Sequence, residues 1–221
     1  KNVVLAKDIT NNIMKHYNKG VILVVVNPVD ILTYMIQKWS GLPNGKVIGT
    51  GTALDSARFR HELAKKFNVD VRNVHGYIVG EHGDSQLPLW SATHIAGMNV
   101  LDYARHHGNA FTEEEKETIK ETVKKAGATI IKNKGATYYA IGITTSTIVE
   151  TLLKHQNTIR TVSTVMEGQY GIEDVAISLP TIINSDGAER IVEFKITPEE
   201  ENLLRESAKA VKAVLSEVKN I

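Results

Sequence analysis

Apolar residues at Val4, Leu5, Ile9, Ile13, Met14 and Tyr17 recur at helical spacing and Gly20 follows as a stop, so the pattern predicts an amphipathic first helix. Val21 to Val26 is an unbroken apolar run closed by Asn27-Pro28, which reads as a strand buried on both faces, as in a parallel sheet covered by helices. A helix from about Asp30 to Ser40, stopped by Gly41, and a short strand from Lys46 to Thr50 continue the alternation. Ala53 to Asn68 predicts a helix, Val74 to Val79 a strand, and Leu87 to Ala96 a further strand-like stretch. Two long helices are predicted next, one opened by a capping box at Thr112 to Glu115 and one beginning near Ala136-Thr137. Beyond them the runs shorten. Thr161 to Met166, Val175 to Leu179, Thr181 to Ile183 and Arg190 to Phe194, separated by Gly168, Gly171, Pro180 and Gly187, predict antiparallel hairpins. The last helix opens on Thr197-Pro198-Glu199-Glu200 and is expected to bury Leu203, Leu204, Val211, Leu215 and Val218 on one side.

This order predicts an α/β chain: the end of an open parallel sheet over residues 1–50, then an α+β section with antiparallel strands over residues 51–221. No internal repeat, low-complexity segment or long linker interrupts it. Composition narrows the partners. Lys+Arg 26 against Asp+Glu 25, interspersed along the chain, gives no basic stripe for nucleic acid or a membrane surface. The absence of cysteine removes disulfides, thiolate chemistry and Cys-based zinc sites, and fits a reducing compartment, with cytoplasm as the default. The longest apolar run falls far short of the ~20 residues of a membrane span. The first residues have neither an initiator Met nor a signal layout and look like the inside of an amphipathic helix.

Two short phrases carry the chemistry. Leu54-Asp55-Ser56-Ala57-Arg58-Phe59-Arg60 supplies a carboxylate and two guanidinium groups, and Gly80-Glu81-His82-Gly83-Asp84-Ser85 supplies an imidazole on the loop after a strand. A carboxylate held against an imidazole raises its pKa and fixes its tautomer, and a nearby arginine can grip a substrate carboxylate in a fork. Together they suit proton transfer on a small organic acid. Asn27 directly follows the buried strand, where ligands of open α/β sheets bind, although its type and place also suit a helix cap. The glycine fingerprint of a dinucleotide site is absent; Gly49-Thr50-Gly51 reads as a flexible strand-to-helix turn and not as a phosphate loop. No metal site is expected, since the histidines form no compact array, and Trp39 and Trp90 read as packing residues.

Four motifs in order, Val26-Asn27-Pro28-Val29-Asp30, the Leu54 to Arg60 phrase, the Gly80 to Ser85 phrase and Lys134-Gly135-Ala136-Thr137, resemble the L-lactate dehydrogenases of the lactate/malate dehydrogenase family. The resemblance runs through the whole chain. It implies the C-terminal part of a Rossmann-type NAD-binding domain followed by the family's substrate domain, with the first part of the nucleotide domain missing from this sequence. It further implies NAD as cofactor and pyruvate and lactate as substrates, with His82 as acid/base and Asp55 as its partner. Arg58 is implied to pair with the substrate carboxylate, Asn27 to touch the substrate oxygen and the nicotinamide ribose, Val25 to contact the cofactor, and Thr137 to line the pocket. Arg60 and His75 match positions that bind fructose 1,6-bisphosphate in allosteric bacterial members, and the resemblance implies a homotetramer. Malate dehydrogenase of the same fold, or a non-catalytic module that only oligomerises, are the alternatives. The wording at Gly80 to Ser85 and Leu87 to Trp90 favours lactate.

Overall fold

A computed structural model describes residues 2–108 and 111–218. Its spine is a five-stranded mixed sheet in the order β1, β2, β8, β9, β10, where β1 is Ile22–Val24, β2 Val47–Gly49, β8 Thr158–Glu167, β9 Glu173–Asn184 and β10 Gly187–Ile191. The first pair is parallel. From β2 onward the neighbours are antiparallel, joined to the first pair through Gly49 opposite Ser163.

Helix α2 (Val29–Ser40) crosses between the parallel and antiparallel halves and is buried at every residue from Val29 to Ile36. It can lie that close because Gly49 has no side chain: a Cβ there would come within 2.4 Å of Thr33 Oγ1 and 3.0 Å of Ser163 Cβ. Leu32 and Met35 of α2 join Val24, Val47, Val79 and Leu179 in the main core, which helix α7 (Pro198–Val218) closes with Leu204, Val211 and Leu215. A second core forms where helix α3 (Ala53–Phe67) meets helix α5 (Glu113–Lys134), around Phe59, Leu63, Phe67, Ile78 and Val123. Trp90 stands edge-on to Phe59 and Phe111 there, a packing role.

Several sequence expectations need correction. Helix α1 (Asn2–Met14) buries Val3 and Thr10, whereas Val4, Leu5, Ile9 and Ile13 stay exposed. The apolar periodicity is real, but only part of that stripe faces α2. The strand expected to be buried on both faces is an edge strand limited to Ile22–Val24, with Val25 and Val26 37% and 61% exposed. The stretch from Val74 to Ala96 is not two strands but short ladders: β3 (Val74–His75) with β6 (His94–Ile95) and β7 (Met98–Asn99), and β4 (Ile78–Val79) with β5 (Leu87–Pro88). Helix α4 (Val100–His106) follows; the apolar pattern had not suggested it.

Pro180 does not divide two strands. It lies within continuous β9, paired with Thr161, where β10 has already ended opposite Thr181 and the Pro180 carbonyl accepts from Val192 N–H at 2.7 Å. Helix α6 (Tyr139–Leu153) starts later than expected, because Gly135 in the left-handed region closes α5 and residues 136–138 stay outside both helices. On α7, Leu203 is exposed and Ala208 and Ser207 take the buried face beside Leu204. The Gly49 to Gly51 turn is buried and rigidly packed, not flexible: a Cβ on Gly51 would meet the β8 backbone at Ser163 N, 2.6 Å away.

Candidate active site

Asp55 lies in the first turn of α3 and is 2% exposed. Burying a carboxylate is tolerable only if it is paired. Its Oδ2 meets His82 Nδ1 at 2.7 Å, and its Oδ1 accepts from Arg58 Nη1 at 3.1 Å. Against the acceptor-only Asp55 carboxylate His82 Nδ1 carries the proton and donates it, and Nε2, with no hydrogen-bond partner among the described residues, is left open for chemistry. Among the described residues the Nε and Nη2 donors of Arg58 likewise have no hydrogen-bond partner, and its side chain is largely buried beside the carboxylate. The acid/base candidate His82 and the substrate-binding candidate Arg58 thus share the Asp55 carboxylate.

Burial pushes the His82 imidazole toward neutrality, but the Asp55 hydrogen bond, the Asp55 charge and the more distant Asp30 charge outweigh it. The repulsion from Arg58 is the weakest of these influences. The net direction is a raised pKa, so the imidazolium persists above the ordinary histidine range.

Four elements hold the loop that carries His82. Gly80 (φ +87°) exchanges two 2.9 Å backbone hydrogen bonds with Ser178 of β9, in a conformation that favours glycine; an added Cβ would also stand 2.6 Å from Ser207 Oγ. Ser207 of α7 accepts from Glu81 N–H at 2.8 Å and meets Ser85 Oγ at 2.9 Å. The Glu81 carboxylate accepts from both the backbone and the hydroxyl of Ser85, closing the loop on itself. From α2, Asp30 Oδ2 accepts the His82 backbone N–H at 2.6 Å, and α3 holds the ring through Asp55. Sequence reasoning passed over Asp30, Glu81, Ser178 and Ser207. Asp30 and Glu81 stood inside the motifs; the two serines are single small polar residues far from them in sequence and give no local signal.

Asn27 lies three residues before Asp30, at the end of the β1 segment. Its Oδ1 accepts from Val29 N–H at 3.3 Å, as a helix cap would, and its amide nitrogen has no hydrogen-bond partner among the described residues. Beside it Val25 and Val26 present apolar side chains to solvent. An amide donor next to a bare apolar surface suits the nicotinamide end of a dinucleotide. Thr137 lies exposed in the 136–138 linker with no hydrogen bond among the described residues, and it is not the N-terminal helix residue expected, since α6 begins at Tyr139.

Arg60 and His75 form a separate locus beyond the other side of α3. Arg60 Nη1 donates to the carbonyl of Gly76, the residue after His75, at 3.2 Å; His75 itself is exposed on β3 opposite His94 of β6. Burial lowers the Arg60 pKa, and the nearby Arg160 guanidinium, whose Nε is buried without a hydrogen bond, lowers it further; Tyr77 acts in the opposite sense.

Residues 52–221 match the alpha/beta C-terminal domain of lactate/malate dehydrogenases. The chain belongs to the lactate/malate dehydrogenase family. Residues 1–49 match the family's NAD binding domain. An L-lactate dehydrogenase of Thermoanaerobacter sp. (strain X514) is 46% identical over 218 residues, an alignment covering 99% of this chain and 70% of that protein. Among solved structures, an L-lactate dehydrogenase from Clostridium thermocellum superposes with a TM-score of 0.90 at 67% identity, over 99% of this chain and 72% of that one. The minor L-lactate dehydrogenase of Enterococcus mundtii in its ligands-bound form gives 0.94 at 40% identity, over 98% and 69%. The parallel pair and the antiparallel strands therefore belong to a known α/β architecture of this family.

Proposed function

We propose that this protein is an L-lactate dehydrogenase, catalysing reversible hydride transfer between NADH and pyruvate to give L-lactate and NAD. The observation that carries the reading is the shared carboxylate: His82 Nδ1 and Arg58 Nη1 on the two oxygens of Asp55, 2.7 and 3.1 Å away. That relatives of this chain are named L-lactate dehydrogenase supports pyruvate as the substrate here over oxaloacetate. Val25 and Asn27 are the residues that would hold the nicotinamide end of NAD. When bound, that group supplies or accepts the hydride.

The chain's own residues handle the proton and the substrate. In the reducing direction His82 Nε2 delivers a proton to the pyruvate carbonyl oxygen; in the oxidising direction it takes the proton from the lactate hydroxyl. Asp55 holds the Nδ1–H and stabilises the imidazolium. Arg58 grips the substrate carboxylate through the donors that Asp55 leaves unused. Asn27 positions the substrate oxygen with its free amide N–H. The pocket-lining role implied for Thr137 has no such geometric support and forms no part of this proposal.

Steady-state assays of pyruvate against oxaloacetate with NADH, alongside His82→Ala, test the reading. Pyruvate preference, with turnover of His82→Ala lowered by orders of magnitude and NADH affinity near that of the parent, is expected. Oxaloacetate preference would make this a malate enzyme, and no NADH binding would leave an assembly module.

Arg60 with His75 supports a second proposal: an effector site for fructose 1,6-bisphosphate in a cytoplasmic homotetramer. Two neighbouring guanidiniums, one with a buried unsatisfied Nε, suit a phosphate, and His75 adds an exposed imidazole nearby. The exposed apolar residues of α1 and of α6, including Ile143 and Leu153, provide contact area for assembly. The sugar bisphosphate should lower the pyruvate KM between pH 6 and 8 and fail to do so in Arg60→Ala, and sedimentation analysis reads the assembly directly.

A further inference from the structure

One buried acid in the site has no role in the chemistry above. Asp30, in the first turn of α2, is 3% exposed, and its Oδ2 takes the backbone N–H of His82 at 2.6 Å. Its other oxygen, Oδ1, and the neighbouring Ser163 Oγ are both buried without a hydrogen bond of good geometry. A buried carboxylate with one oxygen lacking a hydrogen bond carries a desolvation cost that a single accepted N–H does not offset. This one is driven under α2, where the bare Gly49 lets helix, β2 and β8 close up.

We infer that Asp30 is a positioning residue for His82: it fixes the loop backbone to α2 and, as a second negative charge behind the imidazole, sets how readily His82 holds its proton. This rests on the lactate dehydrogenase reading of the same site. Two links connect Asp30 to the acid/base. The first is the 2.6 Å hydrogen bond, which ties the peptide carrying His82 to the helix that begins beside Asn27. The second is electrostatic, since the Asp30 and His82 charges attract through a poorly solvated interior.

The charged groups around His82 are Asp55 and Arg58 from α3 and Asp30 from α2, and Asp30 also faces Glu81 of the loop. Burial raises the Asp30 carboxyl to about 6, opposed by the Ser163 hydroxyl, the His82 N–H and the His82 charge, and assisted slightly by Glu81. Above that pH the carboxylate is ionised and acts on the imidazole. Helix α2 thereby connects the cofactor end of the site, at Asn27, to the proton-transfer end at His82.

Asp30→Asn separates charge from shape, because the amide oxygen can still accept the His82 N–H. With the substrate-free protein, the His82 imidazole titration followed by NMR should shift its midpoint to lower pH in Asp30→Asn. In the kinetic assay kcat/KM for pyruvate at pH 8 should fall roughly tenfold, while lactate oxidation gains activity on its acid side. A purely structural role would weaken both directions together and leave both pH profiles in place. That outcome, or an unmoved His82 midpoint, overturns the inference. If Asp30→Asn does not fold, the carboxyl carbon of Asp30 in the unaltered protein decides: titration in step with the imidazole supports the coupling, and an independent midpoint near the ordinary ~3.9 of aspartate refutes it. A protein that turns over neither pyruvate nor lactate, yet shows the NMR shift, would sink the reaction assignment and leave the Asp30 coupling standing.

Discussion

Asp55→Asn removes the charge on which the site is built while keeping the side-chain volume. In the intact protein the Asp55 carboxylate is buried and divided between His82 Nδ1 and Arg58 Nη1. Burial already opposes the imidazolium, and it is the Asp55 hydrogen bond and charge that reverse the balance. Without them burial prevails, Arg58 loses its counter-charge, and the His82 pKa falls. A hydrogen bond to a charged partner contributes about 1.5–3 kcal/mol. Lost from the protonated state alone, that lowers kcat/KM for pyruvate about 10- to 150-fold near neutral pH.

The sign is fixed by the direction of the shift. Pyruvate reduction needs the imidazolium, so it is present below the raised His82 midpoint and declines as pH climbs through it; lactate oxidation does the reverse. The variant should therefore move both limbs to lower pH without weakening NADH binding. Rates measured in both directions from pH 5.5 to 9, with NADH affinity from fluorescence, supply the assay. A kcat/KM within twofold of the parent and an unmoved pH profile would refute the reasoning.

Arg58→Lys keeps a positive charge but loses the planar fork, so the pyruvate KM should rise about tenfold or more while kcat falls less, read by steady-state kinetics. Gly80→Ala forces a side chain into a left-handed conformation 2.6 Å from Ser207 Oγ; it should cost about 1–3 kcal/mol in denaturant unfolding and reduce turnover by loosening the His82 loop. Asp30, with its pKa raised to about 6, destabilises the folded state increasingly as pH rises from about 4 to 6, so the melting temperature of Asp30→Asn relative to the parent should rise across that window. A gap that is flat or closes with pH would contradict it.

The elements that were legible in the sequence are those whose signal is local. The capping boxes at Thr112–Glu115 and Thr197–Glu200 state a helix start in four residues, and both are formed as hydrogen-bonded pairs. Gly41 in the left-handed region ends α2 at the position its type suggests. What was not legible depends on neighbours. Whether Val25 and Val26 are covered is decided by what pairs with β1, and whether Pro180 interrupts β9 is decided by where β10 stops. A run of apolar residues reads the same in either case.

The site divides along the same line. His82, Asp55 and Arg58, which the structure brings together, were legible as candidates because their chemistry is explicit in the side chains, and two of them share a helix at i, i+3 spacing. Their support is not: Ser207, 125 residues beyond His82 in sequence, holds the loop with one hydroxyl, and Ser178, 96 residues beyond, holds Gly80 through backbone groups that any residue would supply. A hydroxyl is the smallest group that can satisfy a buried backbone N–H without bringing in a charge, which is why such residues hold loops and why they leave no pattern. Asp30 is the exception that explains the rule. A full carboxylate is a costly way to accept one N–H, and that cost makes sense here because its charge also reaches the imidazole that the loop presents.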